Sequence, residues 1–183
     1  MLCNIAVNDA DYVVNKCPYY LTWSRMIKRC YDVCYLNRKP SYAGTSVCES
    51  WLIFSNFRKW MEQQDWEGKE LDKDLLCRGN KVYCPEACVF ISRDLNLFVR
   101  EKSAYKFIGA TYEEYTGLYK AQITDPFAKR KLTLGRFNTI ERAHEEWRKY
   151  KHRFAKRLAK MQSDPRVINA LLIRYSKDVW YGS

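Results

Sequence analysis

The sequence predicts an α+β protein: a helix-braced ββα unit, then a three-stranded antiparallel sheet packed on a long helix. Three observations carry that expectation. Residues 71–96, LDKDLLCRGNKVYCPEACVFISRDLN, set two short apolar runs around a Gly-Asn turn with a helix start behind them. Ahead of this stretch, two segments carry apolar residues at helical spacing. Behind it, three alternating runs lead into a long segment of helical period.

A chain of 183 residues suits one medium domain or two small ones, and 47% hydrophobic content is ample for a packed core. The net charge of +11 is unevenly placed. Residues 1–96 hold 13 basic and 12 acidic side chains, whereas residues 97–183 hold 19 and 9. Such asymmetry points to a basic module that binds a polyanion, joined to a nearly neutral one. The expected division is 1–100 and 101–183.

No stretch approaches the roughly 20 apolar residues of a membrane span, so no membrane partner is expected. The start, MLCNIAVNDADYVVNKC, lacks a basic opening and a sustained apolar run, and so does not read as a signal peptide. The eight cysteines are then expected as thiols in a reducing cytosol. Cys77, Cys84 and Cys88 do not have the C-x-x-C spacing of a zinc knuckle, and Cys30 and Cys34 fall one helical turn apart. Buried free thiols, rather than structural Zn2+, are the expectation.

In chain order, residues 19–35 predict a first helix, with Tyr20, Trp23, Ile27, Cys30, Tyr31 and Cys34 on its apolar side. A loop with Pro40 and Gly44 as breakers follows. Residues 49–63 predict a second helix, with Ser50 as cap and a buried stripe of Trp51, Phe54, Phe57 and Trp60 or Met61. These two helices are expected to brace the ββα unit, which is too small to bury a core alone.

In that unit, strands are expected at 70–76 and 87–91, a turn at Gly79-Asn80, and a helix from about Ser92. Alternation sends Leu71, Lys73 and Leu75 one way, and Asp72 and Asp74 the other. The helix would bring Asn96 back beside the first strand. Two carboxylates and an amide oxygen then form a seat for one hard divalent cation, which takes oxygen ligands. The plainer alternative makes the Asp residues solvated and Asn96 a helix cap.

Residues 97–106 read as a connector. Strands follow at 107–112, 117–123 and 132–137. Asn138-Thr139-Ile140-Glu141 fits a capping box opening a helix that runs to about Gln162 and carries Ala143, Trp147, Tyr150, Phe154 and Leu158 among many Lys and Arg. After Pro165, Val167, Ala170, Leu171 and Arg174 suggest a short amphipathic helix. The pattern leaves a homodimer open.

Residues 71–96 resemble the ββα-metal core of HNH endonucleases. The corresponding positions read Asp72-Lys73, then Pro85-Glu86-Ala87-Cys88, then Asn96. With YYLTWSRMIKRCY, VCESWLIFSNFRKW and the L-D-K-D-L-L step, the arrangement resembles the phage-encoded HNH homing endonucleases over about residues 19–151. Lys73 stands where that family carries its general-base histidine, and Ala87 where it carries a middle Asn. Both histidines of the chain, His144 and His152, lie downstream. The three strands and helix, with GLYKAQI and KLTLGRFNTIERAHEEWRKYK, resemble the Apetala-type DNA-binding domain.

These resemblances imply a metal-dependent, site-directed DNA endonuclease acting in a host cytoplasm, with double-stranded DNA as partner. Mg2+ or a similar ion such as Mn2+ would neutralise charge at phosphorus and assist the leaving 3′ oxygen. Asp72 and Asn96 are its first expected ligands, and Asp74 a second carboxylate. Lys73 would serve as base only if burial lowered its pKa by several units. Holding the scissile phosphate or stabilising developing charge suits it better, and the base stays open. On the sheet, Tyr119, Ala121 and Ile123 are expected to face the helix. Lys120, Gln122, Arg130, Lys131 and Arg136 would then face DNA, with Gln122 able to read a base edge and the cations neutralising phosphate. Two rival readings stand beside the enzyme: an HNH-fold DNA-binding or regulatory protein that does not cut, and an RNA-binding accessory protein.

Overall fold

The computed structural model describes residues 1–100 and 106–176. It mixes helix and strand and divides into two compact units, Met1–Arg93 and Asp94–Ser183. The division falls before residue 100, so the helix Arg93–Val99 goes almost wholly to the second unit.

In the first unit, helix α1 spans Pro18–Tyr31, with Pro18 at the position where a missing N–H costs nothing. Of the expected stripe it buries Trp23, Ile27 and Cys30, with Tyr20 and Tyr31 half-buried, and it also buries Met26, which the stripe did not include. The helix was expected to reach residue 35, but Asp32 breaks it. Its backbone is extended, and its Oδ1 accepts the Tyr35 amide at 2.7 Å, capping a new helix α2, Val33–Arg38. That restart leaves Cys34 exposed rather than on the buried side.

The second expected helix also splits. Residues Glu49–Leu52 form a 3-10 turn, and helix α3 runs only from Phe54 to Met61. Ser50 does not cap it; Asp9, far away in sequence, accepts the Ser55 amide at 2.9 Å. Trp51, Phe54, Phe57 and Met61 are all buried. The Trp23 indole donates to the Trp51 carbonyl at 2.7 Å, tying α1 to this aromatic core and satisfying its one polar atom.

Two small sheets complete the unit. Strand β1 (Ser46–Val47) pairs in parallel with β3 (Val82–Tyr83), and β2 (Lys69–Asp72) pairs antiparallel with β4 (Val89–Ser92). The strand expected over 70–76 thus stops at Asp72, and its partner starts at Val89 rather than at residue 87. The expected alternation outlives the strand: Leu71, Lys73 and Leu75 are buried, while Asp72 and Asp74 are half-buried.

In the second unit, helix α4 (Arg93–Val99) precedes an antiparallel sheet in the order β5 (Ala110–Glu113), β6 (Leu118–Thr124), β7 (Lys131–Phe137). Part of the expected connector, residues 101–105, lies outside the described residues. Helix α5 (Ile140–Ala159) packs on all three strands, and helix α6 (Pro165–Arg174) packs along α5, burying Val167 and Leu171. Ala121 and Ile123 point into this core, as alternation predicts. The capping box expected from Asn138 and Glu141 does not form. Thr139 is the cap, accepting the Arg142 amide, which puts an arginine where the box needs a carboxylate.

Among the described residues, no helix is long and apolar enough to cross a membrane.

Candidate functional site

Strand β2 ends because of Asp72. Its Oδ1 accepts the backbone amides of Asp74 at 2.9 Å and Leu75 at 2.7 Å. A carboxylate that takes the two following N–H groups competes with the strand ladder and turns the chain. The next residue locks the turn from inside. Lys73 is 7% exposed, and its ammonium donates to Asp74 Oδ1 and to the Asn80 carbonyl, both at 2.8 Å. Asn80 answers across the loop: its Nδ2 donates to the carbonyls of Lys73 and Val82, and its Oδ1 accepts the Val82 amide. Gly79, at φ +76°, supplies the left-handed step beside it.

Asp72, Lys73 and Asp74 therefore sit on one pinned loop of the first unit. Asn96 lies on α4 in the second unit, half-buried, its carbonyl accepting the Arg100 amide. Among the described residues, no three His, Cys, Asp or Glu side chains gather in a group able to hold a metal ion. Asp72 and Asp74 are thus two carboxylates on a fixed turn, and a third ligand would have to be an amide, a carbonyl or water.

In the Pro85-Glu86-Ala87-Cys88 step, Cys88 ends a helical turn, its amide donating to the Cys84 carbonyl at 3.0 Å. Its side chain is fully buried, and burial pushes the thiol pKa up, which keeps it protonated.

The sheet of the second unit gathers its charges into a pattern that the sequence did not show. Thr111, Lys120 and Arg136 stand in one cross-strand row. Glu113, two residues along β5, shares their face. Its Oε1 meets Lys120 Nζ at 2.5 Å and its Oε2 meets Arg136 Nε at 2.6 Å, while Arg136 also donates to the Tyr115 hydroxyl. One carboxylate thus offsets part of two expected DNA-facing cations. Gln122 Nε2 lies 3.4 Å from Thr133 Oγ1, after an irregularity in register at Ala121/Gln122. Arg130 and Lys131, at the β6–β7 turn, are exposed.

Lys120 first, and Arg136 after it, hold the Glu113 carboxyl at about 2, against an ordinary 4.5. The unfolded chain binds the extra proton between those values. The stabilisation is therefore complete above about pH 4.5 and lost as pH falls through about 2. Glu113→Gln should flatten the rise in the second unit's melting temperature across that window; a profile as steep as that of the parent would show that the pair does not stabilise the fold.

The sequence reading assigns no role to the side chains of four residues that the structure shows in bonds: Asn80, Glu113, His144 and Lys151. The last two lie on the buried side of α5. His144 Nδ1 bonds the Ile108 carbonyl at 2.8 Å and its ring stacks on Trp147. Their signal was present, since both fall on the apolar helical stripe with Trp147 and Phe154. No protein-family model, curated protein or solved structure matches the chain.

Proposed function

We propose that the chain is a metal-dependent DNA endonuclease of the HNH homing type, with the basic second unit holding duplex DNA. The observation that carries this reading is the Asp72 turn. A carboxylate fixed by two backbone amides is a preorganised ligand, and preorganisation is what a hard cation and a phosphoryl transition state both reward. The order of segments supports it as well: paired strands β2 and β4, then α4 carrying Asn96, then a module of net charge +10.

In this reading Asp72 and Asp74 would hold Mg2+ or Mn2+, which would supply Lewis acidity toward the scissile phosphate. Lys73 is a positioning residue. Its ammonium is spent on Asp74 and on the Asn80 carbonyl, so it shapes the loop that presents Asp72. Arg130, Lys131, Lys120 and Arg136 neutralise backbone phosphate, and Gln122 reads a base edge.

A second reading, a DNA-binding protein that does not cut, is favoured by one observation. Lys73, at the position that the HNH resemblance gives to the base, is buried in hydrogen bonds in a segment, residues 71–96, that contains no histidine.

The deciding experiment is cleavage of phage genomic DNA by the purified chain with and without Mg2+ or Mn2+. Cleavage should require the metal, and Asp72→Ala should reduce it at least about 100-fold, of the order seen when one stabilising group is removed, while DNA binding stays. Metal-independent binding without cleavage would establish the second reading. Equal cutting by Asp72→Ala would remove this turn from the active site.

A further inference from the structure

Helix α5 has a side that the function proposed above does not use. At about 100° per residue, Arg142, Lys149, Arg153, Lys156 and Lys160 fall within about 60° of one another around the helix axis. All five are exposed. They lie opposite Ala143, Trp147, Phe154 and Leu158, which α5 buries. The N-terminal half of this ridge is mixed, because Lys149 pairs with Glu146 at 3.1 Å and approaches Glu145. The C-terminal half is not: from Glu146 to Asp164 the chain has no acidic residue. Among the described residues, no carboxylate pairs with Arg153, Lys156 or Lys160.

The contrast with the sheet sharpens the point. There Lys120 and Arg136 share Glu113, and Lys129 pairs with Asp94 at 2.5 Å. Arg153, Lys156 and Lys160 thus gather three exposed cations on one side of the helix, while two cations of the sheet face share a carboxylate. Arg153 and Lys160 stand roughly 10 Å apart along the axis, the length of about three phosphates on one DNA strand. Since α5 buries its other side against the sheet, the ridge points away from the outer face of the sheet. Duplex DNA is stiff over such distances, so a segment lying on the sheet does not reach the ridge.

We propose that Arg153, Lys156 and Lys160 form a second phosphate-binding surface, fitted to the backbone of double-stranded DNA and separate from the sheet face, so that one molecule holds two duplex segments. The choice of DNA as the polyanion rests on the function proposed above; the surface itself rests on the placement of these charges.

The test uses the full chain, a labelled duplex DNA of arbitrary sequence, and anisotropy titrations over a range of salt. R153Q/K156Q/K160Q keeps good helix formers and should retain the parent's circular dichroism. Its log Kd against log salt slope should fall by about 2 to 3, the share of three phosphate contacts. K16Q/R25Q/K28Q removes the same charge from exposed positions of the first unit and should move the slope by less than about 1. A second labelled duplex should be retained on immobilised DNA by the parent and lost by the ridge variant. Equal slopes for ridge and control variants would overturn the proposal, as would tighter binding of duplex RNA than of DNA, or retention of the second duplex by the ridge variant. Failure of metal-dependent cleavage would sink the endonuclease reading and leave this result untouched.

Discussion

Gly109→Ala should unfold the second unit while leaving the first intact. Gly109 has φ +82°, and a Cβ built there would lie 2.1 Å from Trp147 Cδ1 and 2.2 Å from its Cγ. Neither partner can give way. Trp147 is 5% exposed and stacked on His144, with ring centroids 5.5 Å apart. The backbone is pinned on both sides of the contact, since His144 Nδ1 bonds the Ile108 carbonyl and the Gln122 amide donates to the Gly109 carbonyl at 2.8 Å. Overpacking a fixed site and forcing a left-handed residue together cost about 3 to 5 kcal/mol, a large fraction of a small domain's stability. Gly117→Ala is the matched control. It has φ +67° with nothing within 4 Å of its built Cβ, so only the backbone term of about 1 kcal/mol applies. Hydrogen exchange resolved by peptide would show the second unit opening in Gly109→Ala and closed in Gly117→Ala. Equal protection in the two variants would mean that strand and helix do not approach as closely as they do here.

That contact also shows which parts of the fold were legible in the sequence. The period of α5 sets Trp147 in its apolar series, and alternation turns Ala121 and Ile123 toward the helix, because each is a local rule acting over a few residues. The strands of the second unit differed from expectation only at their ends. What escaped came from partners distant in sequence. The Asp9 cap on Ser55 lies 46 residues away, and the β1–β3 pair consists of two-residue strands with no periodic signal. Glu113 was missed for a small reason: the strand was expected to stop at residue 112, so the carboxylate that meets Lys120 and Arg136 fell into the turn. Asp72 shows the reverse. It was singled out as a metal ligand from its place between Leu71 and Lys73, and its capture of two backbone amides, which ends β2, was not part of that pattern.

Lys151→Ala should be the most damaging single substitution of a charged residue in the second unit. Lys151 is 7% exposed on α5, its ammonium donates to the Phe98 carbonyl, and it lies 3.8 Å from the Phe98 ring centroid, with Trp147 and Tyr175 beyond. A buried ammonium is costly unless paired. Here the C-terminal end of α4 pairs it: Lys151 takes the Phe98 carbonyl, and Arg174 donates to the Val99 carbonyl at 3.4 Å. Two cations thus serve the end of a helix that has no glycine to close it, where the helix dipole favours positive charge. Lys151→Ala removes the stem, the cation–π contact and the carbonyl's partner together, for about 3 to 4 kcal/mol. Lys151→Met keeps the volume and should cost about 1 to 2 kcal/mol. Urea unfolding of both variants separates packing from charge; a Met variant more stable than the parent would show that the ammonium is a net burden.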